Sequence, residues 1–211
     1  MGRIIKTLLS LSICLSLVVS IPVFAADDQE KTYDTVNVES VSIDDFDYVS
    51  EILTYDEMIQ RYADNANISF EEALNFFPKT RMASPRATYR ELQVTLNVAT
   101  NYKPKLAFYC ETSQSSQYWG IVSIYSVQLI RSYNGISKQF SGYVNAWLRT
   151  AAQVEYVVNG DFYNNGTTSG GFSVGGQGKV NDKITGTFTA SLSTSSNHFK
   201  YFYDHVFHNF Q

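Results

Sequence analysis

The segment 184–193 constrains the fold most. Ile184, Phe188, Ala190 and Leu192 alternate with Thr185, Thr187, Thr189, Ser191 and Ser193, a period of two that sends apolar groups to one face of a β-strand and hydroxyls to the other. The run 199–207 alternates as well, with Phe199, Tyr201, Tyr203, His205 and Phe207 interleaved with Phe202, Asp204 and Val206. Large groups therefore fall on both of its faces. The two runs are expected to pair antiparallel, with Thr194 to Asn197 as the turn.

Upstream the same alternation recurs. Leu92, Val94, Leu96 and Val98 alternate with Gln93, Thr95 and Asn97, and 104–111 is a short apolar run. The segment 118–133 is apolar on both faces and is expected at the centre of a sheet. Asn134–Gly135 is a two-residue turn that joins it to 137–150, because both positions of a tight hairpin turn need positive φ. A strand at 153–158 is followed by turn signals at Asn159–Gly160 and Asn164–Asn165–Gly166. With no helical period after Pro78, the pattern predicts a mainly β fold: an antiparallel β-sandwich or barrel of about eight strands, preceded by a short two-helix segment.

Each helix carries its own start signal. Thr54 with Glu57 and Ser69 with Glu72 have the spacing of capping boxes, and Leu53/Met58 and Ile68/Ala73 are placed as hydrophobic staples. Tyr55, Met58, Ile59 and Tyr62 share one face; Phe70, Ala73, Leu74 and Phe77 share another, up to Pro78. Helices this short need a surface to cover, either each other or the β domain.

The chain opens with Arg3 and Lys6, an apolar stretch, and small residues ending at Ala25. This is the pattern of a secretory signal rather than of a membrane anchor, with cleavage after Ala25. Ile13 ahead of Cys14 argues against a lipid anchor. The organisation read is therefore 1–25 signal peptide, 26–86 acidic, partly helical leader and linker, and 87–211 β domain. From Ala26 to Thr80 there are fourteen Asp and Glu against three Lys and Arg; from Arg81 onward there are six against eleven. The two regions should attract. With Pro78, Lys79, Arg81, Pro85 and Arg86 at the joint, the arrangement has the form either of a propeptide or of an ordinary interdomain linker that stays intact. Only Cys110 lies beyond the signal, so no intramolecular disulfide is expected in the exported chain. Its apolar neighbours suit a buried small side chain.

Phe77–Pro78, Lys103–Pro104, Phe108 to Thr112, Tyr118–Trp119–Gly120 and Asn159 to Tyr163 together resemble small secreted β-rich proteins of Gram-positive bacteria that carry no assigned activity. The resemblance implies a bacterial, extracellular setting and brings no catalytic residue with it.

Catalysis finds little support. His198, His205 and His208 are close in sequence, but the spacing puts His205 opposite both His208 and His198 on a regular strand, so they should not converge on a metal. No Gly-x-Ser-x-Gly elbow occurs, and the glycines from Gly170 to Gly178 lack the Lys-Ser/Thr ending of a phosphate loop. An acidic exported helix pair has the wrong charge for nucleic acid. No enzyme activity, cofactor, metal or nucleic-acid partner is expected. The wealth of aromatics, 15 Tyr, 14 Phe and 2 Trp, points instead to a secreted binding module for an extracellular ligand or cell-surface glycan. Tyr118, Trp119, Tyr143, Trp147, Tyr163 and Tyr203 are the candidate contacts. The competing expectation is a membrane-active, pore-forming toxin with an acidic propeptide, in which 167–176 and 183–193 form an amphipathic hairpin of membrane-strand length.

Overall fold

A computed structural model of the chain describes residues 46–77, 87–115, 118–172, 178–192 and 197–209. The expected signal sequence, most of the acidic leader and the proline- and arginine-rich joint lie outside them. In order the elements are β1 (Tyr48–Val49), α1 (Tyr55–Ala66), α2 (Phe70–Ala73) running into a 3-10 turn (Leu74–Phe76), β2 (Thr88–Thr95), β3 (Lys105–Ser115), β4 (Tyr118–Ile130), β5 (Ser132–Tyr133), β6 (Ile136–Ser137), β7 (Gln139–Thr150), β8 (Gln153–Tyr163), β9 (Thr167–Phe172), β10 (Lys183–Ser191) and β11 (His198–Asn209). All described strand pairs are antiparallel apart from one isolated bridge, Leu148 to Val180.

Two sheets form the sandwich. One has the order β1-β2-β3-β4, the other β11-β8-β7-β10-β9, and β5-β6 is a small separate hairpin. Among the described residues no sheet closes on itself, which fits a sandwich and not a closed barrel. Between the sheets lie Leu92, Val94, Leu106, Phe108, Cys110 and Val127 from the first, and Phe140, Val144, Leu148, Val154, Val158 and Phe162 from the second, all essentially inaccessible to water. A second cluster lies on the other side of the four-stranded sheet. There Leu53, Tyr55, Met58, Ile59, Tyr62 and Phe77 of the helical segment pack on Tyr89, Ala107, Tyr109, Tyr125 and Ile130. The described residues thus form three layers: helices, four-stranded sheet, five-stranded sheet.

Both helix starts form as the sequence predicts. The Glu57 amide donates to Thr54 Oγ1 at 3.3 Å and the Thr54 amide to Glu57 Oε2 at 2.7 Å, and Ser69 and Glu72 repeat the exchange at 3.2 and 2.9 Å. Asn67 ends α1 in the left-handed conformation, φ 55°, which asparagine tolerates. The helices find their covering surface on the sheet, and β1 adds to its edge by pairing with β2. Residues 46–77 are thereby built into the same compact unit as the strands.

Several pairings differ from expectation. β10 and β11 are not neighbours: β10 pairs with β7 and β9, β11 pairs with β8, and two strands separate them. Alternation defines which face a strand buries and leaves open which strand lies beside it. Asn134 (φ 49°) and Gly135 (φ 75°) do make the tight turn, but the ladder around it stops after Ser132–Ser137 and Tyr133–Ile136. The chain there crosses from one sheet to the other, so β4 and β7 face each other across the core instead of lying side by side. β4 is accordingly the last strand of its sheet, not a central one. It is apolar on both faces because helices lie on one side and the second sheet on the other. Bulges in the β3–β4 pairing shift its period, bringing Ile121, Ile124 and Val127 to the inner face at spacings of three.

Asn159–Gly160 is no turn: β8 runs straight through it. Gly160 sits opposite Gly142 of β7, where an added Cβ would lie 2.8 Å from both Gly142 Cα and Phe140 Cε2 and closer still to the Ser141 carbonyl. The hairpin anticipated from 167–176 and 183–193 exists in part as β9–β10; residues 173–177 and 193–196 lie outside the described residues. Ile184 and Phe188 of this hairpin are committed to the core, whereas Leu192, expected to be buried with them, is exposed.

Candidate functional site

The five-stranded sheet turns its second face to solvent. On β7 and β8 the inward positions are Phe140, Val144, Ala146 and Leu148, and Val154, Tyr156, Val158 and Phe162, so the odd-numbered residues of both strands face out. The ladder pairs bring these into rows across strands: Lys183, Trp147, Glu155 and Phe207; Thr185, Asn145, Val157 and His205; Thr187, Tyr143, Asn159 and Tyr203; Ser141, Asp161 and Tyr201; Gln139, Tyr163 and His198. Among the described residues no element covers this face.

Side chains along it hold one another in place. Asn159 is the hub of the central part: its Nδ2 donates to the Tyr143 hydroxyl and its Oδ1 accepts from the Tyr201 hydroxyl, both at 3.1 Å. Tyr203, directly opposite Asn159, is 55 % exposed, and Tyr201 is 52 % exposed. Thr185 donates to Asn145 Oδ1 at 2.9 Å. Toward one end, Glu155 binds the Arg149 guanidinium with one oxygen and His205 Nε2 at 2.7 Å with the other. Burial alone would raise this carboxyl, but the bonds from Arg149 and His205 outweigh it and hold Glu155 below the usual carboxylate range. The Trp147 ring has Arg149 at 5.1 Å and Lys183 at 5.4 Å from its centroid, within reach of cation–π attraction. At the other end His198 contacts Asp161 at 2.8 Å.

Four of the six aromatic candidates, Tyr143, Trp147, Tyr163 and Tyr203, belong to this face. The other two do not. Tyr118, 80 % exposed, begins β4 on the other sheet, and Trp119 packs against the sandwich core with the Arg90 guanidinium 4.8 Å from its ring. Tyr201, Asn159 and the Arg149–Glu155–His205 group were missed from sequence. Tyr201 shares the alternation of Tyr203 and was legible; the others required knowledge that β8 lies between β7 and β11.

The histidines need one correction. A bulge between His198 and Lys200 inserts Phe199, which packs inward, and returns His198 to the outer face. His198 and His205 therefore share a face, each beside a different acid, while His208 points inward and stacks on Tyr156 with ring centroids 5.5 Å apart. No group of three or more His, Cys, Asp or Glu gathers among the described residues in a way that would hold a metal ion. Cys110 is fully buried, and burial pushes its thiol far above the range in which a thiolate forms.

A recess of about 490 Å³ opens beside α1 between Tyr48, Arg61, Asn65, Glu91, Gln93 and Lys105. Its polar groups are spent on one another: Glu91 Oε1 accepts from Asn65 and from Gln93, each at 2.7 Å, and Gln93 accepts from Lys105 at 2.9 Å. This network joins helix to sheet. Comparison with protein-family models, with curated proteins and with solved structures finds no match to this chain.

Proposed function

We propose that this chain is a secreted, non-enzymatic β-sandwich protein that binds a glycan on the open face of its five-stranded sheet. The observation that carries the reading is the Tyr143–Asn159–Tyr201 hydrogen-bonded array with Tyr203 beside it. Sugar rings present apolar C–H faces and a rim of hydroxyls. Aromatic rings take the first, and amides and ion-paired carboxylates take the second. Neighbouring strands are about 4.8 Å apart, so Tyr143 and Tyr203, two strands apart, stand roughly 10 Å from each other. That span suits an extended saccharide better than a single ring. Asn159 fixes two of the rings before any ligand arrives, which lowers the ordering cost of binding. Export is supported by the charged, apolar and small-residue order of the first 25 residues.

The membrane-active alternative is disfavoured by the position of Ile184 and Phe188 in the core. Releasing such side chains would cost about 1.5–3 kcal/mol each.

The test is binding of the chain from Ala26 onward to an array of bacterial and host polysaccharides, repeated with Tyr143→Ala/Tyr203→Ala. An aromatic contact contributes about 0.5–1.5 kcal/mol beyond its buried area, so the double variant should bind roughly five- to 150-fold more weakly with an unchanged melting temperature. Failure of the parent to retain any glycan, or equal retention by the double variant, would reject the reading.

A further inference from the structure

A cleft of about 480 Å³ lies away from the aromatic face, between the end of α1, the C-terminal end of β4 and the edge strand β9. Tyr62, Phe76, Val127, Leu129 and Phe188 give it an apolar wall, and Arg131 is the only charged residue among the described residues that line it. Arg131 is half-buried, and burial lowers its pKa, with Tyr102 opposing only in part. Among the described residues its side-chain hydrogen bonds all leave from Nη1 and end on neutral oxygens: the Lys138 carbonyl at 3.2 Å, Gln139 Oε1 at 2.7 Å and Thr168 Oγ1 at 3.0 Å. None of the ion pairs among the described residues includes it.

A cation partly withdrawn from water with no counter-ion beside it gains from an anion that can pair with it. Here Arg131 keeps Nε and Nη2 outside any hydrogen bond among the described residues while standing at the margin of an apolar cavity. The volume lies in the range of small-molecule sites, which combine apolar walls with a few polar groups that fix orientation. We propose that this cleft binds a monocarboxylate with an apolar body, its carboxylate on the remaining donors of Arg131 and its hydrocarbon against Leu129, Phe188 and the helix aromatics. One guanidinium matches one carboxylate in charge and in planar shape. A ligand of higher charge would have no second cation to meet among the lining residues.

The site is separate from the glycan-binding face and does not depend on it. The test is calorimetric titration of the chain from Ala26 onward with decanoate, decanol and decyltrimethylammonium, which share a hydrocarbon chain and differ in charge. Decanoate should bind saturably at one site, and the neutral and cationic analogues at least tenfold more weakly. Because Arg131 also ties β7 and β9 together, Arg131→Met risks the fold. Ser137→Glu instead places an anion on an exposed lining residue without removing any contact of Arg131, and should weaken decanoate at least tenfold with the melting temperature unchanged. Absence of saturable decanoate binding, decanol binding as tightly as decanoate, or an unaffected Ser137→Glu variant would each overturn the proposal.

Discussion

Replacing Gly160 by alanine tests whether β7 and β8 are held together by a close backbone approach. The new Cβ would sit 2.8 Å from Gly142 Cα and from Phe140 Cε2, and nearer still to the Ser141 carbonyl oxygen. Phe140 has an inner-face ring that can shift slightly, but Ser141 and Gly142 obstruct with backbone, which no rotamer change moves aside. Overpacking of a well-filled site costs about 1–3 kcal/mol, and a backbone obstacle puts Gly160→Ala near the upper end. For a domain of this size 1 kcal/mol corresponds to about 2–4 °C, so the melting temperature should fall by roughly 6–12 °C. Gly171, in edge strand β9, is the control, since a Cβ there meets nothing within 4 Å. Gly171→Ala should leave stability unchanged or raise it by about 0.4–1 kcal/mol, because alanine restricts the unfolded chain. Thermal unfolding followed by circular dichroism reads both. Equal melting temperatures for the two variants would refute the reasoning, because the argument rests on the difference in space between them.

Asp204, which accepts from Tyr156 at 3.1 Å, has its pKa raised by burial, with the Tyr156 bond and His208 opposing only in part. A folded pKa above the unfolded one gives stability that is complete below the unfolded value, about 3.9, and is lost as pH rises through the folded value. Asp204→Asn should therefore raise the melting temperature at pH 7 and lose that advantage near pH 4; a variant less stable than the parent at pH 7 would contradict this. Met58, fully buried between α1 and the four-stranded sheet, should lower stability by about 2–5 kcal/mol on replacement by alanine, read by urea unfolding. A loss under about 1 kcal/mol would mean that the helical layer contributes little to holding the fold together.

Features fixed by neighbours in sequence were readable, and features fixed by neighbours in space were not. The capping boxes at Thr54/Glu57 and Ser69/Glu72 need only residues three apart, and Asn134–Gly135 needs only its own φ angles. Those elements stand where the sequence puts them. Asn159–Gly160 has the same chemistry as Asn134–Gly135 but serves a different end: its glycine admits the backbone of β7, and its asparagine anchors two tyrosines. Nothing local separates the two uses. The partner of β10 could not be read for a similar reason, since Ile184 and Phe188 would be equally buried beside β11 or beside β7. The site shows the same division. Tyr143, Trp147, Tyr163 and Tyr203 stood out as individual residues, yet their union on one face depends on β8 lying between β7 and β11. His198 joined them only through a bulge that alternation cannot foresee.

The outer faces of the two sheets explain why one is covered and the other left open. The four-stranded sheet presents Ala107, Tyr109, Tyr125 and Ile130 on its far side, an apolar surface that requires a cover. The helical segment supplies it with Met58, Ile59, Tyr62 and Phe77, and buries its own apolar stripe in doing so. The five-stranded sheet presents Thr185, Asn145, Glu155, Asn159 and Asp161 between its aromatics, polar groups that are satisfied by one another and by neighbouring side chains without any covering layer. Solvation alone would be served by threonine and charge, as on any half-exposed strand. Tyr201 and Tyr203 instead leave half of their surface in water, with Tyr201 tied through Asn159 to Tyr143, so ring orientation is fixed where packing does not require it. Fixed orientation on an exposed surface reduces what a partner must spend in ordering these side chains. That is the physical reason to seek the proposed ligand on the second sheet rather than on the first.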